Sequence, residues 1–346
     1  MENIQGGLPP IAIRSQRVQT AVACAAPDKV PFMPVIQNWY ALGYGVSIQD
    51  AMTDITIMKE VMDRFLPQYD PDLVYTPNFF PIEPMEFAGH NNARWPGERY
   101  DLPVDTPYQY IDETFLKDGD WDEYLKDPSA FLLKKMLSKR YSSFAGLENL
   151  NVIDLCPHAV FSLASLAVPP VKQALENMIK AGELAMKHLQ KAVETDMHVV
   201  KKGYPIWGAA VICQPFDDFA DNIRGFMATL MDVVSDPEKV NEAVTRWGDV
   251  SIPSFIAKVK MMHAQYAFIP LHAGMDNFMS PENYDKYYWP HLKRTIDAII
   301  AAEVTPIVLC EGEYHTRLET LTDVPKGKVI YCFEDVDFKK AKDILG

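Results

Sequence analysis

Short apolar runs recur along the chain, and each gives way to a stretch whose apolar positions repeat with helical spacing. The runs are 28–36 (DKVPFMPVI), 73–76, 205–212, 268–271, 306–310 and 328–332. Unbroken apolar runs of this length predict strands buried on both faces of a parallel sheet. Between them, Ser47 is placed to cap a helix over 48–66, where Ala51, Ile55, Met58, Val61, Met62 and Phe65 share one side. Further helices are predicted over 219–233, over 237–262 with Pro237 in the first turn, from Ser280-Pro281 to 302, and over 337–345. Six strand-then-helix units of this kind predict an α/β fold of the (β/α) barrel type. A closed barrel needs eight units, so the pattern reaches Gly346 about two units short. An open sheet, further chain, or a partner chain that completes the barrel are the alternatives this leaves.

Two stretches break the rhythm. Residues 77–107 are rich in proline and aromatics without periodicity, as binding loops and lids are. Residues 120–200 are helical in pattern, with breaks at Pro128 and Pro157, and 172–199 is the longest such segment. A short added strand is predicted over 109–116. The expected organisation is an N-terminal arm over 1–27 and a barrel domain over 28–346, with 77–200 as a lid or helical insertion.

Composition narrows the partners. With 48% hydrophobic residues in 346, the chain can bury a large core, and its formal charge of −14 argues against nucleic acid and anionic membranes as partners. The five cysteines are scattered and form no CxxC pair, which suits a reducing cytoplasm. The most apolar long segment, 155–171, is interrupted by His158 and Pro169-Pro170, so no membrane span is expected.

The chemistry is expected where strands end. In TPIVLCEGEYHTR (305–317), the run 306–310 breaks at Glu311-Gly312 into a polar turn with His315 and Arg317. Alternation puts Glu311 on the side of Leu309 and opposite Cys310, and pairs Cys332 with Glu334. His272 ends the preceding strand, and Asp217-Asp218 follow the one before. Glu311, His272 and Asp217 are the candidate catalytic residues. Plainer roles stand beside them: Asp217 as a helix-dipole partner, Cys332 as core, His315 and Arg317 as solvated loop. Asn38, Trp39, Tyr40, Asn78 and Phe79, together with His315 and Arg317, are the candidate substrate contacts, and their aromatics suit an apolar or aromatic substrate.

The segments CQPFDDFADNIRG, HAGMDNFMSPENYDKYYWPHLKRTIDAI, VLCEGEYHTRLETL and GKVIYCFEDVDFKKAKDILG together resemble the uroporphyrinogen decarboxylase superfamily. The resemblance implies a TIM barrel with its pocket at the strand C-termini. Residues 37–45 lack the arginines, and 74–78 the aspartate, of a true porphyrinogen decarboxylase, which places the chain nearer the corrinoid-linked zinc methyltransferases. In that branch a His-x-Cys pair would fall on Leu309-Cys310-Glu311, so His272, Glu311 and Cys332 become the implied zinc ligands, with Glu334 as a substitute for Cys332. The implied reaction moves a methyl group between a small substrate, such as an aromatic ether, and a thiol or a corrinoid on a separate protein. A homodimer is an accompanying expectation. The alternatives are a lyase on a smaller carboxylic acid, clamped by Arg94, Arg99 or Arg317, and a non-catalytic, partner-completed subunit.

Overall fold

A computed structural model describes residues 9–151, 153, 160–208 and 210–346. Pro157, where a helix break is expected, and His158 lie outside the described residues, as do residues 1–8 of the expected arm. The chain divides into two compact units, one of Met1–Gln37, Met62–Thr76 and Asp196–Gly346, the other of Asn38–Val61 and Pro77–Thr195.

The second unit carries a small antiparallel pair, β1 (Ala93–Arg94) with β2 (Gln109–Tyr110). The strand expected over 109–116 thus shrinks to two residues. Within the stretch expected to be aperiodic lies the helix Ile82–Ala88, ended by Gly89 in the left-handed region. Ser47 caps the helix Ile48–Thr53 by accepting from the Asp50 amide, but the expected run to 66 breaks at Asp54 and resumes at Met58–Tyr69. Ala88, Phe144, Leu147, Leu150, Val171 and Ala174 form this unit's core.

The first unit is mixed α/β. Its sheet is parallel, in the order β3 (Tyr266–Leu271), β4 (Thr305–Glu313), β5 (Ile330–Asp335). Tyr266 pairs with Thr305 and Leu271 with Cys310; Ile307 pairs with Ile330 and Leu309 with Cys332. Three of the six expected strands are therefore strands. The other three segments make isolated contacts in chain order: the Phe32 carbonyl accepts from the Asp72 amide at 2.8 Å, and Val74 with Ile206 and Val211 with Phe268 form single parallel bridges. Prolines explain the difference at 28–36, since Pro31 and Pro34 have no amide proton to give a ladder. In 205–212, Pro205 and a left-handed Gly208 interrupt the extended backbone. No closed barrel is formed among the described residues.

Alternation along these segments builds the core. Leu73, Tyr75, Trp207, Tyr266, Phe268 and Ile307 pack together with Leu309, Ile330 and Cys332. Tyr75 stacks near Trp207 (ring centroids 4.5 Å) and Trp207 near Phe268 (5.2 Å). On the opposite face Ile269, Leu271, Val308 and Cys310 are also buried, which is why the runs carry no polar alternation.

The expected arm contains a helix, Pro10–Val22, with proline at its first position. It is held by charge as much as by packing. Buried Arg17 forks onto Asp28 at 2.6 and 2.7 Å and pairs with fully buried Asp72, which also accepts from the Phe32 amide at 2.9 Å. Only Arg17 and Val18 of that helix are buried, so its sequence shows little apolar periodicity.

Candidate functional site

The candidate catalytic residues Asp217, His272 and Glu311 lie at the C-terminal ends of the parallel segments. Pro215–Phe219 is a one-turn helix opened by Gln214, whose Oε1 accepts from the Phe216 amide at 2.9 Å. It continues through the wider turn Ala220–Arg224. That continuity sets Asp217 and Asp221 on one side, four residues apart. Both face the loop after β3, where His272 stands.

Asp217 is fully buried and serves as the loop's anchor. Its Oδ2 accepts from the His272 amide at 3.1 Å and from the Tyr288 hydroxyl at 2.7 Å, and its Oδ1 from the Ala273 amide at 3.0 Å. Burial pushes its carboxyl up, while the His272 charge and the Tyr288 hydrogen bond oppose that rise. Its three donors, two backbone amides and one hydroxyl, tie the loop after β3 to the helix. Asp221 holds His272 directly, Oδ2 to Nδ1 at 2.5 Å. Burial lowers the His272 pKa, but the Asp221 hydrogen bond and the negative charges of Asp217, Asp221 and Glu311 outweigh it, and the imidazole is pushed up to about 9. The ring is fixed through Nδ1, and its side chain is about 31% exposed.

Glu311 completes the cluster from β4. Burial pushes its carboxyl up, the His272 charge draws it down, and Glu334, Asp217 and Asp221 push it up further. Its position depends on a kink: the β4–β5 register shifts between Cys310 and Glu313, with Gly312 at φ +75° and its amide donating to Glu334 Oε2 at 2.8 Å. A Cβ at Gly312 would also meet the Met275 Sδ and Cε at 2.9 Å. Gly312→Ala is expected to cost about 1–3 kcal/mol of stability, measured as a lowered urea midpoint with an unchanged m-value.

The other sequence candidates are placed as follows. Cys332 lies against the apolar core, and burial pushes its thiol up to about 11. Of the implied zinc ligands, His272 and Glu311 stand at the strand ends, while Cys332 packs with Leu309 and Ile330 against the apolar core. Among the described residues no group of three or more His, Cys, Asp or Glu side chains is arranged to hold a metal ion. Arg317 is a correction to its expected role as a substrate contact or carboxylate clamp. It is 1% exposed, donates to the carbonyls of Gly274 (3.1 Å), Met275 (3.3 Å) and Met279, and lies over the Tyr284 ring. It pins the loop after β3 in place. His315 is exposed and 3.5 Å from Asp335. Asp218 accepts from the Trp247 indole at 2.6 Å and from Asn222 at 2.7 Å.

Asn38, Trp39, Tyr40, Asn78 and Phe79 belong to the second unit. There Tyr40 and Phe79 are buried, Trp39 is exposed and meets Tyr44 edge-on, and Asn78 is exposed. Arg94 lies on β1, and Arg99 is paired with Glu86 at 3.3 Å. The residue that sequence reasoning missed is Asp221. Its signal was present as the i, i+4 spacing from Asp217, which only a continuous helix turns into a shared side.

No protein-family model matches this chain, and no curated protein does. Among solved structures, a methyltransferase from Methanosarcina mazei is similar to it, with a TM-score of 0.57 and 14% sequence identity. The similarity covers 96% of this chain and 80% of the other, and at that identity it is a similarity of fold. Among the described residues no helix is long and apolar enough to cross a membrane.

Proposed function

We propose that this chain is a methyltransferase on an incomplete (β/α) barrel, moving a methyl group from a small substrate, such as an aryl methyl ether, to a thiol or a corrinoid on a separate protein. The observation that carries the reading is His272 at the strand ends, its Nδ1 held by Asp221 at 2.5 Å beside the carboxylates of Asp217 and Glu311, whose charges favour its protonated form. The shared fold with a methyltransferase supports it.

Breaking a methyl ether leaves an oxygen that needs a proton. The acceptor's electron pair forms the new bond to the methyl carbon, the carbon–oxygen bond breaks toward oxygen, and His272 Nε2 delivers its proton to that oxygen. A reduced corrinoid, when bound on its own protein, supplies such an electron pair. Asp221 fixes the ring and stabilises the imidazolium, and Asp217 holds the backbone on which the ring is mounted. Solvent returns the proton to His272 between turnovers, and the charge of Glu311 favours its recapture. The lyase alternative needs a cation for the substrate carboxylate, and Arg317 is buried, with Asp276 and loop carbonyls around it.

The test is release of catechol from 2-methoxyphenol by the purified chain, with free cob(I)alamin or a small thiol as acceptor. Acceptor-dependent catechol, lost in His272→Asn, supports the proposal. No release above the protein-free background with either acceptor sinks it.

A further inference from the structure

Far from His272, the first unit contains a cavity of about 390 Å³. Val18 and Val22 line it from the N-terminal helix, Met33 from the segment that follows, Ile330 from the start of β5, and Leu345 from the last helix. Ile330 and Glu334 lie at opposite ends of β5, four residues or about 13 Å apart. The cavity is therefore at the N-terminal ends of the strands, away from the acid cluster.

It is a cleft partly open to solvent, with room for more than a single water. Val22, Met33, Ile330 and Leu345 are each only partly buried, leaving apolar surface turned to the space. Water gains little against such a lining. Among the described residues Lys326 is the one charged side chain lining it; Nζ donates one proton to the Gly346 carbonyl at 2.6 Å and has two more to give. Gly327 lies close against the end of the N-terminal helix, where a Cβ would meet the Val22 carbonyl oxygen at 3.3 Å.

We infer that this cavity binds a medium-chain alkyl carboxylate, its chain against Val18, Val22, Met33, Ile330 and Leu345 and its head on Lys326. Decanoate is the probe, titrated calorimetrically into the full chain. The expected result is saturable binding of one decanoate per chain, about tenfold weaker for decanol and about tenfold weaker for decanoate in Lys326→Met, the loss of one charge-assisted contact. Val22→Trp and the more peripheral Leu345→Trp, each checked for a cooperative thermal transition, abolish binding, whereas His272→Ala leaves it unchanged. Absence of saturable binding to the folded chain overturns the inference, as does binding that both tryptophan variants retain. Equal affinity for decanol and decanoate overturns the assignment of Lys326.

Discussion

Replacing His272 by asparagine is expected to lower the rate of catechol release by about 10²–10⁴-fold, the usual contribution of a positioned general acid. Substrate KM should change far less, because the proton is needed in the transition state rather than for binding. The pH profile gives the sign. His272 is raised from its ordinary 6.5 to about 9, so the acid is present throughout the neutral range and is lost as pH rises through 9. The rate is expected to stay level from pH 7 to 8 and then fall about tenfold per unit. Asp221→Asn removes the charge that raises the imidazole and should move that fall toward neutrality. A flat profile to pH 10, or a shift in the opposite direction in Asp221→Asn, would contradict a proton delivered by this ring. Stability follows the same linkage: the imidazolium's contribution is complete below pH 6.5 and disappears as pH climbs past 9.

Removing the Asp217 carboxylate has the largest structural consequence. In Asp217→Ala the amides of His272 and Ala273 and the Tyr288 hydroxyl lose their acceptor in a site from which water is excluded. Each stranded donor costs about 1–3 kcal/mol, and partial collapse of the site recovers some of it. A loss of about 3–5 kcal/mol in urea unfolding is expected, together with loss of activity, since the ring loses its mount. Tyr288→Phe removes a single donor and should cost only about 1 kcal/mol. A loss below 1 kcal/mol in Asp217→Ala would mean that the loop after β3 is held by other contacts, such as those of Arg317.

These two residues also show how much the amino-acid sequence reveals. β3, β4 and β5 were legible because the runs at 268–271, 306–310 and 328–332 are short and largely apolar without polar alternation, as buried strands of a parallel sheet are. Helix starts were legible at Ser47 and Ser280, whose hydroxyls accept from the Asp50 and Asn283 amides. Pro31, Pro34 and Gly208 lie inside apolar runs and quietly remove the ladder, so the runs at 28–36 and 205–212 overstate strand. The cluster was half legible. Glu311 and His272 follow apolar runs at strand ends and attract notice one at a time. Asp221 acts only through the fold, because nothing local says that a residue beyond the first turn of one helix will meet a ring 51 positions later. Arg317 misleads in the opposite direction: a cation in a polar turn is expected at the surface, whereas three backbone carbonyls and an aromatic ring take it inward.

The central claim is that His272 carries a proton across the neutral range because Asp221 and its acidic neighbours hold it there. The direct measurement is an NMR titration of the imidazole nitrogens from pH 5 to 11, assigned with His272→Asn. The account predicts a midpoint near 9, moving down in Asp221→Asn. A midpoint at or below 6.5 in the intact chain would contradict it.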